Sequence, residues 1–250
     1  MRSVQRSRRE IRGMRGWHVA ALAALTALTA VVSLAWPAAA QAQATGSGEE
    51  EGGYVWNATQ GEKLQALAAQ GDATRGEISF EVCQGCHRRG ALGRVDGTYP
   101  RLAGQHRSVL IKQMTDVRAG RRRNDTMLPF ADKHVIGPQD IADIAVYLSQ
   151  LPVPANNGKG PGGDLAGAEQ LYRFQCADCH GERGEGDAVR FYPRVNGQHY
   201  RYLLHEMIAI RDGSRGNAYP KMVEIVKPLA NAQLDALADY MSRLPSGPTR

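Results

Sequence analysis

The sequence has 250 residues, enough for one large domain or two small ones. Its formal net charge is +6, but six arginines and one glutamate fall in residues 1–44, which leaves only +1 for residues 45–250. Because nucleic-acid binding needs a strongly basic surface, this balance excludes nucleic acid as a partner.

Residues 1–44 have the three parts of a secretory signal peptide. An arginine-rich stretch comes first, a mainly apolar stretch covers residues 19–36, and Ala40, Ala42 and Ala44 then form two cleavage sites of Ala-x-Ala type. The sequence therefore predicts export, with the periplasm as the location. An uncleaved membrane anchor stays open as the alternative, because this apolar stretch is almost long enough to span a bilayer.

Residues 45–71 are predicted to be a leader segment. Glycine and glutamate dominate residues 46–53, a composition typical of flexible chain. A short helical pattern then runs from Glu62 to Gln70 and ends at Gly71. The sequence gives no role to Trp56.

Two runs of the form Cys-x-x-Cys-His occupy residues 83–87 and 176–180, and together they use every cysteine of the chain. The residues are Cys83, Cys86 and His87 in the first run and Cys176, Cys179 and His180 in the second. On one helical turn the two thiols reach the vinyl groups of a haem, and the adjacent histidine supplies the proximal ligand of the iron. The sequence therefore predicts two covalently bound haem c groups.

Three other uses of four cysteines need to be weighed against haem attachment. They are a four-cysteine zinc site, a pair of redox dithiols and two structural disulfides. None of these explains why a histidine directly follows both cysteine pairs. Haem attachment is therefore the preferred interpretation.

The chain contains an internal repeat with an offset of 93 residues. At this offset the haem-attachment run, a Tyr-Pro-Arg run and a Gly-Gln-His run all recur. Other matched pairs are Leu110 and Leu203, Met114 and Met207, Arg118 and Arg211, Gly120 and Gly213, and Tyr147 and Tyr240. The repeat predicts an N-terminal haem domain at residues 72–151, a linker rich in proline and glycine at residues 152–163, and a C-terminal haem domain at residues 164–250.

Each half is predicted to be helical. A helix carries the haem-attachment run, a middle helix begins near Gln105 or Gln198, and a last helix begins at Pro138 or is capped by Asn231. Apolar residues recur at helical spacing in the last helices, at Ile141, Ile144, Ala145 and Leu148 and at Leu234, Leu237, Ala238 and Met241. No alternating strand pattern of useful length occurs, so the fold class is all-α, with two tandem helical haem domains.

A six-coordinate haem iron needs a second axial ligand, which is usually Met or His. Met127 and Met222 are the candidates, because each lies in a predicted loop between the middle and last helices, 40 and 42 residues after its histidine. Met114, Met207 and Met241 lie on helices among apolar residues and are predicted to fill the core.

His106 and His199 are the rival axial ligands and would give two bis-histidine haems. They recur at the same offset, so recurrence alone does not decide between them and the methionines. Their position at a helix start, directly after Gly-Gln, instead predicts that they face solvent or a propionate.

Four further recurrent residues are candidates for contacts to the haem propionates: Arg101, Gln105, Arg194 and Gln198. Guanidinium and amide groups suit propionate oxygens, although solvated loop residues are the plain alternative. Pro100 and Pro193 are predicted to fix the loop over each proximal histidine, so that a neighbouring carbonyl accepts its Nδ1–H.

These motifs resemble the di-haem cytochromes c of the cytochrome c4 family, over about residues 72–245. The resemblance rests on both Cys-x-x-Cys-His runs, both Tyr-Pro-Arg-x-x-Gly-Gln-His runs, an Arg-x-Gly-type segment before each loop methionine and the last helices. It implies two cytochrome c-like domains facing each other, with His/Met ligation by Met127 and Met222. Two departures stand out: Arg88 and Arg89 follow the first motif where the family usually has glycine, and residues 45–71 are longer than the family needs.

The resemblance and the motifs together predict an electron carrier, not an enzyme, in a respiratory chain. The expected partners are redox proteins such as a membrane oxidase or reductase complex, with peripheral or no membrane association after signal cleavage. The alternatives are a cytochrome c subunit of a periplasmic or membrane dehydrogenase, which a stable complex on purification would reveal, and a di-haem redox enzyme. An enzyme needs an open or labile iron position, whereas both halves here offer a methionine.

Overall fold

The computed structural model describes residues 55–246, so the predicted signal peptide and residues 45–54 and 247–250 lie outside the described residues. The helices of the N-terminal half are α1 (Gly61–Ala68), α2 (Ala73–Phe80), α3 (Gln84–His87), α4 (Arg107–Arg118), α5 (Leu128–Ala131) and α6 (Pro138–Gln150). Those of the C-terminal half are α7 (Leu165–Gln175), α8 (Ala177–His180), α9 (Tyr200–Arg211), α10 (Pro220–Val226) and α11 (Asn231–Arg243). The described residues contain no β-strand, and the all-α prediction is confirmed.

Local sequence explains where the long helices begin and end. Pro138 occupies the first turn of α6, and the Asp140 carboxylate accepts the Gly137 N–H at 2.8 Å. Helices α4 and α9 end before Gly120 and Gly213, whose φ values of +71° and +78° are ones that glycine adopts without strain. Asn231, predicted as a cap, is instead the first residue of α11.

Each half buries its own apolar core against its last helix. In the N-terminal half α6 packs against α2 and α4, and in the C-terminal half α11 packs against α7 and α9. The apolar residues that recur at helical spacing in the sequence form the buried face of each last helix, since Ile141, Leu148, Leu234 and Leu237 are almost fully buried. Among residues 55–246 no helix is long and apolar enough to cross a membrane.

Part of the predicted leader belongs to the packed structure of the N-terminal half. Helix α1 packs against α4 and α6 and buries Ala66 completely. The Arg107 guanidinium donates to carbonyls at the C-terminal end of α1. At the other end, Glu62 in the first turn of α1 pairs with Arg118. Charge at both ends of α1 therefore fixes a segment that its composition alone did not assign to a domain.

Candidate haem-binding sites

Both haem-attachment runs fold as a short helical turn. Cys176 directly precedes α8, while Cys83 ends a 3₁₀ turn that leads into α3. All four cysteines are free and partly buried. Burial, with the partner thiol as a smaller cause, raises the pKa of Cys83 to about 11 and of Cys176 to about 12. A redox dithiol would need a lowered thiol pKa, so this environment disfavours that alternative.

The two proximal histidines are held in the same way. Nδ1 of His87 lies 3.2 Å from the Pro100 carbonyl oxygen, and Nδ1 of His180 lies 2.9 Å from that of Pro193. Burial lowers the pKa of both imidazoles, although the carbonyl opposes this shift. A neutral ring that donates from Nδ1 keeps the lone pair of Nε2 available for iron.

One continuous cavity of about 690 Å³ contains both candidate sites. It is lined by both cysteine pairs, both proximal histidines and both Met127 and Met222. Most of the remaining wall is apolar, with side chains from the cores of both halves. Such a lining suits a large apolar plate that carries a few polar groups at its edge.

The structure places the methionines in slightly different settings. Met127 immediately precedes the short helix α5, whereas Met222 lies inside α10 and not in a loop. Met207 and Met241 are buried in the core, as predicted for core-filling side chains, although they also line the cavity.

The rival histidines take part in contacts between the two halves. Nε2 of His106 lies 2.7 Å from the Glu185 carbonyl oxygen, and Nε2 of His199 lies 2.8 Å from that of Leu92. Nδ1 of His199 also accepts the Gly158 N–H at 3.0 Å. The expectation that His199 faces solvent or a propionate is wrong, because its side chain is buried and both ring nitrogens bond to backbone.

Two recurrent glutamines form a reciprocal contact between the halves. Gln105 bonds the backbone of Arg194 through both its amide oxygen and nitrogen, at 2.9 and 3.0 Å. Gln198 bonds the backbone of Arg101 in the same manner, at 3.0 and 2.9 Å. We therefore assign these glutamines to holding the halves together, a role that the sequence analysis did not include.

The two recurrent arginines fit the charged edge of a haem. Both line the cavity, and within the described residues the buried Nε of Arg101 and the buried Nε of Arg194 have no hydrogen-bond partner. An unpaired buried donor costs about 1–3 kcal/mol, so an acceptor at each position would be stabilising. A propionate oxygen is such an acceptor. The two unpaired Nε donors in the cavity wall therefore indicate that the cavity suits a haem.

The first motif carries a strained residue that the second lacks. Arg88 has φ +65° and ψ 164°, a region that only glycine occupies freely, while Gly181 takes the same place in the repeat with φ +78°. We expect Arg88→Gly to raise the free energy of unfolding by about 1–2 kcal/mol, because it removes this strain. Urea denaturation of the two proteins measures the change, and a lower stability of the glycine variant would contradict it.

Known proteins with similar sequences and structures point to one family. A family model described as cytochrome c matches residues 165–245. Cytochrome c4 of Azotobacter vinelandii is 32% identical over 196 residues, which cover 70% of this chain and 90% of that protein. The thiosulfate dehydrogenase electron acceptor of Stutzerimonas stutzeri (strain A1501) is 30% identical over 195 residues, covering 72% of this chain and 89% of that protein.

Structural comparison agrees with the sequence comparisons. The crystal structure of reduced recombinant cytochrome c4 from Pseudomonas stutzeri matches with a TM-score of 0.62 and 28% identity, covering 70% of this chain and all of that one. Cytochromes c4 are electron carriers and not enzymes. With its two haem-attachment runs and its helical halves, the chain belongs to the cytochrome c4 family and carries covalently bound haem c.

Proposed function

We propose that the protein is a periplasmic carrier that passes single electrons between respiratory donors and an acceptor such as a terminal oxidase. The observation that carries this proposal is the shared cavity, which both haem-attachment runs and both candidate methionines line. Two redox groups in one cavity lie close enough for an electron to move between them within one molecule. The carrier could then accept an electron through one half and release it through the other.

In this proposal His87 and His180 are the proximal ligands, and Met127 and Met222 are the axial ligands on the opposite faces. Bound haem c supplies a one-electron couple between ferrous and ferric iron. The carbonyls behind the two imidazoles fix the ring orientation and increase the basicity of Nε2. With these four residues as ligands, both axial positions of each iron would be occupied, as suits electron transfer and not binding of a substrate to iron.

A dehydrogenase is a second candidate donor, because one of the similar proteins is named as the electron acceptor of thiosulfate dehydrogenase. In that case the protein would receive electrons from a periplasmic dehydrogenase, as a separate carrier or as a bound subunit. Co-purification with such an enzyme would favour the subunit, and isolation as a free carrier would favour the shuttle.

Electron delivery by the purified holo-protein tests the proposal. Mass spectrometry of the denatured chain is expected to show two haem additions. The reduced protein is then expected to be oxidised rapidly by membranes that contain a haem–copper oxidase, with a second-order rate that falls as salt is added if charges steer docking. A single haem addition, or reoxidation no faster than by oxygen alone, would contradict the proposal.

A further inference from the structure

The segments that carry the two candidate axial methionines are anchored differently. Segment A comprises residues 120–127, and segment B comprises residues 213–222. They keep the repeat offset as far as Asn124 and Asn217, after which segment B has two additional residues before its methionine. Asn217 is fully buried, whereas Asn124 is exposed. Two equivalent amides of one repeat therefore have opposite environments.

Segment B is bonded to helix α4 of the other half through Asn217. Its amide nitrogen donates to Asp116 Oδ2 at 2.9 Å and to Gln113 Oε1 at 3.1 Å. The Asp116 carboxylate is fully buried and also pairs with Lys112 Nζ at 2.6 Å. A hydrogen bond to a carboxylate is stronger than one between neutral groups, and it gains further strength away from water.

Trp56 gives segment B a second contact with the N-terminal half. Its ring centroid lies 5.5 Å from that of Tyr219, and Lys112 Nζ lies 3.8 Å from the Trp56 ring centroid. The ammonium group therefore faces both a carboxylate and an aromatic ring. We call Trp56, Lys112 and Asp116 the α4 anchor.

The α4 anchor also reaches the proximal side of the second candidate haem site. Tyr219 lies 5.9 Å from Tyr192, measured between ring centroids. Tyr192 directly precedes Pro193, whose carbonyl faces Nδ1 of His180. Tyr219 thus connects the α4 anchor with a residue beside the loop that holds His180.

Segment A contacts the other half through a different residue: the largely buried Arg122 donates to Glu206 at 2.8 Å and to the Tyr202 hydroxyl at 2.9 Å, both on α9. Within the described residues its Asn124 amide, in contrast, has no counterpart of the contacts that Asn217 makes. At the repeat offset Asp116 and Lys112 correspond to Ala209 and His205. An alanine side chain cannot accept a hydrogen bond from Asn124, and the His205 side chain is 73% exposed. The Asn124 side chain bonds only within its own segment, to a backbone N–H at 3.0 Å.

We propose that Trp56, Lys112 and Asp116 are positioning residues that hold Met222 in place from across the interface, acting through Tyr219 and Asn217. This inference rests on the ligation by Met127 and Met222 given under the proposed function. Its consequence is that weakening the α4 anchor should make Met222 easier to displace by an added ligand, while the matched change in segment A should not.

Imidazole titration of the oxidised holo-protein tests this inference. The readout is the long-wavelength sulfur-to-iron absorption band, which is lost when a methionine leaves ferric iron. Met127→Ala isolates the band of Met222 and Met222→Ala isolates that of Met127, so each methionine can be titrated separately. The imidazole midpoint of the band that remains in Met127→Ala is the reference for changes in the anchor.

Asn217→Ala tests the anchor directly. Combined with Met127→Ala, it should lower the imidazole midpoint of the remaining band about tenfold, because it removes a buried hydrogen bond to a carboxylate. Trp56→Leu should also lower this midpoint, whereas Trp56→Phe, which keeps a ring beside Tyr219, should lower it less. Both Trp56 variants keep the buried amide, so they test the anchor even if Asn217→Ala fails to fold.

Asn124→Ala is the matched control, since it changes the equivalent amide of segment A. In the Met127→Ala protein it should leave the midpoint of the Met222 band unchanged. If Asn217→Ala also leaves this midpoint unchanged, or lowers the midpoint of the Met127 band equally, the anchor does not act on Met222. If instead Met222→Ala leaves the band complete, the ligand assignment itself fails, which is a different outcome.

Discussion

Replacing Met127 or Met222 with alanine is expected to convert one haem of the protein from low-spin to high-spin. Alanine has no donor atom, so under the proposed ligation the iron would lose its axial sulfur and gain an open position. That haem should then bind carbon monoxide when reduced and cyanide when oxidised, and its reduction potential should fall, because methionine ligation raises the potential. Half of the sulfur-to-iron absorption band should be lost in each variant.

Met114→Leu is the control for these variants, because Met114 packs against the core of the N-terminal half and leucine has a similar volume. Its spectrum should stay low-spin with the band complete. A low-spin spectrum with an undiminished band in Met127→Ala or Met222→Ala would instead assign the axial position to another methionine. Electron transfer by the variants should slow, since an iron that changes its coordination must reorganise at each step.

The haem-attachment runs were predictable because their chemistry is local. Two cysteines and a histidine on one helical turn are sufficient for covalent attachment and proximal ligation, whatever the rest of the chain does. The last helices were predictable for a similar reason, since the spacing of Ile141, Ile144 and Leu148 marks one buried face. In both cases the residues that matter are near neighbours in sequence.

The contacts between the two halves were not predictable from the same sequence. Recurrence of Gln105 and Gln198 indicated a shared role, but their amides bond to the backbone of the opposite half, 89 to 97 residues away. A repeat reports that two sites are alike, and it does not report which surface each one meets. Trp56 shows the same limit, because its contacts are with Lys112 and Tyr219, far along the chain.

The run Arg121 to Arg123 illustrates how burial separates residues that look alike in sequence. Arg123 is exposed and pairs with the exposed Asp125, whereas Arg122 is largely buried and pairs with Glu206 of the other half. Charge and composition do not distinguish these neighbours. What decides is the tertiary contact with Tyr202 and Glu206 of α9, which Arg122 makes.

Glu206 is a carboxylate at which two interface arginines meet. Its oxygens lie 2.8 Å from Arg122 and 2.6 Å from Arg215, and all three side chains are at most 16% exposed. Gln113 is the residue equivalent to Glu206 in the repeat. Its side-chain oxygen accepts hydrogen bonds from the same two arginines, at 3.0 Å from Arg122 and 3.2 Å from Arg215. Burial would raise the pKa of Glu206, but Arg215 and Arg122 outweigh this effect and lower it to about 2 from an ordinary value of 4.5.

Glu206→Gln is therefore expected to lower the free energy of unfolding at pH 7 by about 3 kcal/mol, because it leaves two buried guanidinium groups without a carboxylate. Since the pKa of Glu206 is lower in the folded state, its contribution is complete above about pH 4.5 and is lost as the pH falls toward 2. Urea denaturation of the holo-proteins should thus show a difference between wild type and variant that is large at pH 7 and shrinks progressively below pH 4.5.

Asp125→Asn, in the exposed pair with Arg123, is the control and should lower the free energy of unfolding by less than about 1 kcal/mol. Equal costs for the two substitutions, or a Glu206→Gln effect that does not change with pH, would show that this carboxylate does not hold the halves together.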